Sequence, residues 1–240
     1  MKTIIAFLII TCIYSFANAQ SYAVINDKDG FVNVRKEKSA NSAIVGKIYD
    51  DNIFVYDYED HSDWIKIYRQ KPKTNGEYAI EGYIHKSRLF PLSKFKSIKT
   101  VKNYKDSCVI FNDSLKVVIE SKHFNPKNHK LLYSKANPKD NTSKELIKID
   151  GKDIWGTDGE IPKVKITSVK VIKHGVPVVI PKDAFGDLYE PGHSGIKVYI
   201  NENNTIYIEM DNSDGAGAYS IFWIIKGDKF YERYIDNSNV

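Results

Sequence analysis

Residues 29–68 read DGFVNVRKEKSANSAIVGKIYDDNIFVYDYEDHSDWIKIY. Four short apolar runs stand in this stretch, each separated from the next by turn-forming residues. Phe31-Val32-Asn33-Val34-Arg35 alternates with period two, the pattern of a half-buried strand. The polar turn 39–42 leads to Ile44-Val45-Gly46-Lys47-Ile48, and Asp50-Asp51-Asn52 breaks the chain before 53–58. A second break, 59–63, precedes Trp64-Ile65-Lys66-Ile67-Tyr68. After an insertion containing Asn75-Gly76, a strong hairpin-turn pair, Glu81-Gly82-Tyr83-Ile84-His85 closes the series. Short strands at this spacing predict a small antiparallel barrel or sandwich.

The same residues resemble the bacterial SH3-like domain. The matching positions are Val32-Asn33-Val34-Arg35, the turn 39–42 before Ile44-Val45-Gly46, Asp63-Trp64-Ile65-Lys66-Ile67, and Gly82-Tyr83-Ile84-His85 with Leu89 behind it. The resemblance covers about residues 22–92 and implies an SH3-like small barrel. It also implies recognition of cell-wall peptide, or service as a module beside another domain. Tyr56, Tyr58, Trp64, Tyr68 and Tyr83 are the aromatic candidates for a binding groove, which in the eukaryotic relatives receives polyproline-type segments. The Ala-Leu-Tyr-Asp-Tyr signature of that groove is absent here. Asp50, Asp51, Asp57, Glu59, Asp60 and Asp63 fall in a stretch without Lys or Arg. They are expected to form an acidic rim, either for a cationic ligand or as solvated turns. The insertion at 69–79 is an elongated hairpin, a partner contact or a tolerated insertion.

The 240 residues allow one large domain or two small ones, and 42% hydrophobic content is enough for a real core. Sixteen Tyr residues favour strands over helices. The N-terminus has Lys2, an apolar run over 4–13 and Ala17-Asn18-Ala19, which read as a secretory signal peptide cleaved after Ala19. A membrane anchor is the alternative, but the run is short for a span; Cys12 raises a lipoprotein reading, although Ile10-Thr11 lacks the small residue such cleavage prefers. Removing Lys2 lowers the formal net charge from +5 to +4 (5 − 1 = 4). The expected chain is therefore exported, periplasmic or secreted, with Cys108 as its one remaining cysteine and no membrane span. A lone cysteine makes no internal disulfide, and Cys108 before Val109-Ile110-Phe111 reads as a buried small hydrophobe. No Lys/Arg run is dense enough to argue for nucleic acid.

Residues 93–106, SKFKSIKTVKNYKD, read as a lysine-rich linker between domain 20–92 and domain 107–240. From Ser107 onward the pattern stays β-rich. Strands are expected over 108–111, 115–121, 130–134, 164–172, 176–180, 196–200, 205–210, 218–225 and 229–235. One short helix is expected over 181–189, with Pro181 at its start and Pro191-Gly192 beyond its end. The fold class is thus mainly β, the small barrel followed by a sheet or sandwich with one short helix.

Two glycine-and-acid segments stand out, 150–160 around Trp155 and Asp158, and 211–219 around Asp214. Brought together they would form a ligand cleft or a calcium site; otherwise they are tight connections using glycine at positive φ. Aligning Gly215 at the sixth place of an EF-hand loop puts Met210 where the first acid belongs, so that motif fails. Cys108 lacks the Asp-Cys-Ser order of papain-like wall peptidases, there is no Gly-x-Ser-x-Gly elbow, and the six His include no H-E-x-x-H pair. No cofactor is implied. The expectation is a non-enzymatic envelope protein with a cell-wall peptide or protein ligand, contacted by Tyr56, Tyr58, Asp60, Trp64, Tyr83, Trp155, Asp158 and Asp214. An envelope hydrolase with its site around Asp158 and Asp214, or an inhibitory partner of another exported protein, are the competing readings.

Overall fold

The computed structural model describes residues 21–57, 61–70, 78–134, 144–212 and 215–237. The predicted leader, Tyr58, Asp60, most of the 69–79 hairpin and Asp214 lie outside these.

Seven strands form the first sheet: β1 (Ser21–Ile25), β2 (Phe31–Arg35), β3 (Ile44–Tyr49), β4 (Phe54–Tyr56), β5 (Trp64–Gln70), β6 (Tyr78–His85) and β7 (Leu89–Pro91), in spatial order β3-β2-β6-β5-β4-β1-β7. The sheet curls into a half-barrel. Its concave side packs Val34, Ile48, Phe54, Ile65, Ile67 and Ile84 into one core. β3 carries an extra residue against β2, because Val34 faces Gly46 while Arg35 faces Ile44. Such a bulge bends the strand and increases its twist.

The chain then passes directly into two further sheets. β8 (Lys96–Ser97) joins β16 (Ile196–Ile200), β17 (Ile206–Asn212), β18 (Tyr219–Lys226) and β19 (Lys229–Asp236) in the order β19-β18-β17-β16-β8. β9 (Thr100–Tyr104) joins β10 (Ser107–Phe111), β11 (Leu115–His123), β14 (Val164–Lys173) and β15 (Val176–Val178) in the order β15-β14-β11-β10-β9. A small pair, β12 (Leu131–Tyr133) and β13 (Leu146–Ile149), stands beside them. The lysine-rich segment expected to be a linker is therefore two edge strands. Ile98 between them is buried in the core, and its N–H bonds the Val198 carbonyl at 3.0 Å.

The two five-stranded sheets pack face to face. Ile110, Val117, Ile119, Ile166 and Val171 of one meet Val198, Ile208, Met210, Ile221 and Trp223 of the other. Cys108 belongs to this core at 1% exposure, and burial pushes its thiol pKa up. The other face of β16–β19 is covered too. Tyr199, Tyr207, Phe222, Ile224 and Tyr234 pack against Tyr22, Val24, Ile53, Val55 and Leu92 of the half-barrel. The sheet β19-β18-β17-β16-β8 is thus a middle layer, so β18 runs YSIFWII with every one of those residues buried and no alternation.

The short helix expected over 181–189 is present as a single 3-10 turn, Lys182–Ala184. It goes no further because Leu188 and Tyr189 are drawn into bridges with Trp155 and Lys165. Hairpin turns fall where the sequence places them. His174 (φ 49°) and Gly175 (φ 80°) are both left-handed, as a two-residue hairpin loop requires, and Gly227 (φ 57°) turns between β18 and β19.

Candidate functional site

Alternation decides which half-barrel side chains can meet a ligand. In β2, Val34 points into the core, so Phe31, Asn33 and Arg35 point outward. Phe31 stands opposite Tyr49, and Arg35 stands opposite Tyr83. Across β5 and β6, Lys66 faces Tyr83 and Trp64 faces His85. Trp64 and Tyr83 are therefore diagonal neighbours on one outer face, roughly 7–8 Å apart at Cα.

Cations interleave with these rings. Lys47 Nζ lies 4.0 Å from the Phe31 ring centre, and Lys38 Nζ lies 5.6 Å from that of Tyr83. Lys66 pairs with Glu81 at 3.0 Å and sits over Tyr68. The edge of Trp64 meets the His85 ring at 5.7 Å, and His85 is held by Ser87 Oγ at 2.8 Å. Tyr49, Ile44 and Val45 are each about half exposed, at 55%, 51% and 46%. The remaining outer surface, carried by β1, β4 and β7 with Tyr68 of β5, is covered by the middle sheet.

Tyr56 points the other way. At 8% exposure it belongs to the concave core of the half-barrel, so it is not a groove residue. Of the expected acidic rim, Glu59 and Asp60 lie outside the described residues, and Asp51, Asp57 and Asp63 are each engaged within the fold. Asp51 accepts from the Tyr207 hydroxyl at 2.5 Å and pairs with Lys226 at 2.8 Å, which pins the β3–β4 turn to the middle sheet. Asp57 accepts from the Tyr68 hydroxyl at 2.7 Å. Asp63 pairs with Lys86 at 2.6 Å, and that hydrogen bond lowers its pKa.

The two glycine-rich loops do come together. A Cβ on Gly217 would sit 2.9 Å from Thr157 backbone N and C. Gly156, at φ 111°, passes against the Tyr189 carbonyl, a conformation and an approach that exclude a side chain. Trp155 is a core residue at 7% exposure, its ring 6.3 Å from that of Tyr219. Asp158 is exposed. The contact is a backbone junction closing one end of the sandwich, and no cluster of three or more metal-ligating side chains occurs among the described residues.

Near that end lies a pair the sequence did not announce. Ser121 of β11, beside the bulge that Thr167 makes in β14, holds its Oγ 2.9 Å from His193 Nε2. Burial lowers the His193 pKa and the nearby Asp106 opposes the shift. His193 Nδ1 is buried without a hydrogen-bond partner. Ser121 itself is 4% exposed, which closes its hydroxyl to a substrate. The two residues are 72 positions apart, and no local motif joins them. Phe31, Tyr49 and Lys47 were legible as outward positions from the parity of Val34 and Ile48.

The chain matches no family model, no curated protein and no solved structure.

Proposed function

We propose that the protein is an exported, non-enzymatic binder of the cell envelope that recognises peptide-bearing wall material through the open outer face of its half-barrel. One observation carries this reading. Where the middle sheet leaves the half-barrel's outer surface uncovered, Phe31, Tyr49, Trp64 and Tyr83 lie interleaved with Lys47, Lys66 and Arg35. Aromatic faces offer contact area to sugar rings and peptide side chains. The cations suit the free carboxylates of wall stem peptides. The resemblance of residues 22–92 to bacterial SH3-like domains and the signal-peptide pattern of residues 1–19 support the same assignment.

The test is co-sedimentation of the chain from Gln20 onward with purified peptidoglycan, with soluble products read by mass spectrometry. Retention without new products is expected, and Trp64→Ala with Tyr83→Ala should weaken it by about tenfold or more, on the order of 1.4 kcal/mol. New muropeptides lost on Asp158→Ala would favour the hydrolase. Retention unchanged in the double variant would place the contact elsewhere.

A further inference from the structure

The outer face of the sheet β15-β14-β11-β10-β9 packs against neither the middle sheet nor the half-barrel. Its pairings arrange the outward side chains in rows. Thr100, Phe111, Lys116, Ile172 and Pro177 lie across the strands in one row, and Lys102, Val109, Val118 and Lys170 in the next. Tyr104, Ser107, Glu120 and Ser168 follow, and Lys122 faces Lys165 beyond them.

The charge on this face is one-sided. Lys102, Lys116, Lys122, Lys165 and Lys170 are set against Glu120, a ratio of five to one, in a chain with 35 basic and 30 acidic residues. Composition therefore does not account for it. Glu120 is spent on Lys170 at 2.8 Å, and Lys165 turns its ammonium to His129 Nε2 at 3.1 Å. Lys102, Lys116 and Lys122 are exposed and make no direct ion pair among the described residues, Lys122 acting on Glu120 only through space. Lys122 and Lys165 stand directly opposite on adjacent strands, an arrangement that costs stability unless an anion or solvent screens it.

We propose that this face binds an acidic polysaccharide. Three strand spacings separate Lys102 from Lys170, roughly 14 Å. Lys116 and Lys122 are about 20 Å apart along β11. Cations at such intervals match charges repeated along a linear chain better than a single compact anion. Tyr104, 57% exposed, offers a ring face to a pyranose. Val109, Phe111, Val118 and Ile172 are half-buried, and Lys102 Nζ lies over the Phe111 ring at 5.3 Å. The apolar groups therefore sit among lysine stems and do not protrude as a bilayer-inserting wedge. One exposed aromatic is too few for the stacked platform that single-stranded nucleic acid uses.

The experiment measures binding of the chain from Gln20 onward to polygalacturonate, with neutral dextran, phosphatidylglycerol vesicles and a single-stranded oligonucleotide as competitors. Saturable binding to the polyuronate that weakens with added salt is expected. The triple variant Lys102→Glu, Lys116→Glu, Lys122→Glu should lose at least about tenfold in affinity, whereas Lys229→Glu, an exposed lysine of β19 in the middle sheet, should not. Circular dichroism and the melting profile show that the triple variant is folded. Affinity unchanged in a folded triple variant overturns the assignment to this face. A preference for vesicles or the oligonucleotide overturns the choice of ligand. Peptidoglycan retention by the triple variant, measured alongside, reads the half-barrel proposal separately.

Discussion

His193 shows how far a single residue departs from what its neighbours in sequence suggest. It stands in the loop after Pro191-Gly192, where the order of residues says only that the chain turns. The fold carries its ring to Ser121 and buries Nδ1 without a partner. Burial lowers its pKa below the ordinary 6.5, so the unfolded chain takes up a proton in a range where the folded one resists it. The folded state is therefore penalised as pH falls below about 6.5, and the loss grows until the folded ring also titrates. The slope cannot exceed about 1.4 kcal/mol per pH unit for one proton, and solvent at the ring's edge reduces it. Urea titrations at pH 7 and pH 5.5 should show wild type losing stability relative to His193→Gln. Parallel curves for the two proteins would mean that His193 is not the group responsible. The same scale explains Tyr56, which shares the chemistry of Tyr49 and Tyr83. Position parity alone sends it into the core, and a three-residue strand gives that parity little room to be read.

At the scale of elements, strands β14 and β16 to β19 were plain in the sequence. Their turns carry residues with φ above zero, and Val164–Lys173 alternates over most of its length. β8 and β9 were not plain. Five lysines in fourteen residues look like a solvated tether, yet lysine is also what edge strands use to discourage further pairing. The residue that distinguishes the two is Ile98, which a tether would leave in water. Ile98→Ala should cost about 2–4 kcal/mol in denaturant unfolding, the range for truncating a buried aliphatic side chain. A loss under about 0.5 kcal/mol would return the segment to the status of a surface connection. The 3-10 turn at Lys182–Ala184 makes the complementary point. Local residues start a helix there, but Leu188, fully buried, is held extended against Trp155.

The whole molecule is layered more closely than its sequence suggests. Tyr22, Val24, Ile53 and Val55 read as ordinary half-buried strand positions, and nothing local says that their outer neighbours are Phe222 and Tyr234 rather than water. Tyr22 packs edge-on against Phe222 at 4.6 Å and donates its hydroxyl to the buried Asp236 at 2.9 Å. The signal available was β18 itself, whose unbroken apolar run demands cover on both sides. The proposed binding surfaces follow from the same layering, because the curled sheet and the outer sandwich sheet each turn a cation-bearing face away from the middle layer.

The burial of Cys108 gives the molecule a clock. In the chain from Gln20 onward it is the single thiol. It reacts with a modifying reagent only when the sandwich opens, so the labelling rate counts openings. Phe222 lies on the opposite side of the middle sheet from the core that encloses Cys108. If the layers open together, Phe222→Ala, which should cost about 3–5 kcal/mol, will accelerate thiol capture at a site it does not touch. If Cys108 reacts at the wild-type rate in that variant, the half-barrel detaches alone. The stopwatch would then time two events, with the sandwich outlasting the layer beside it.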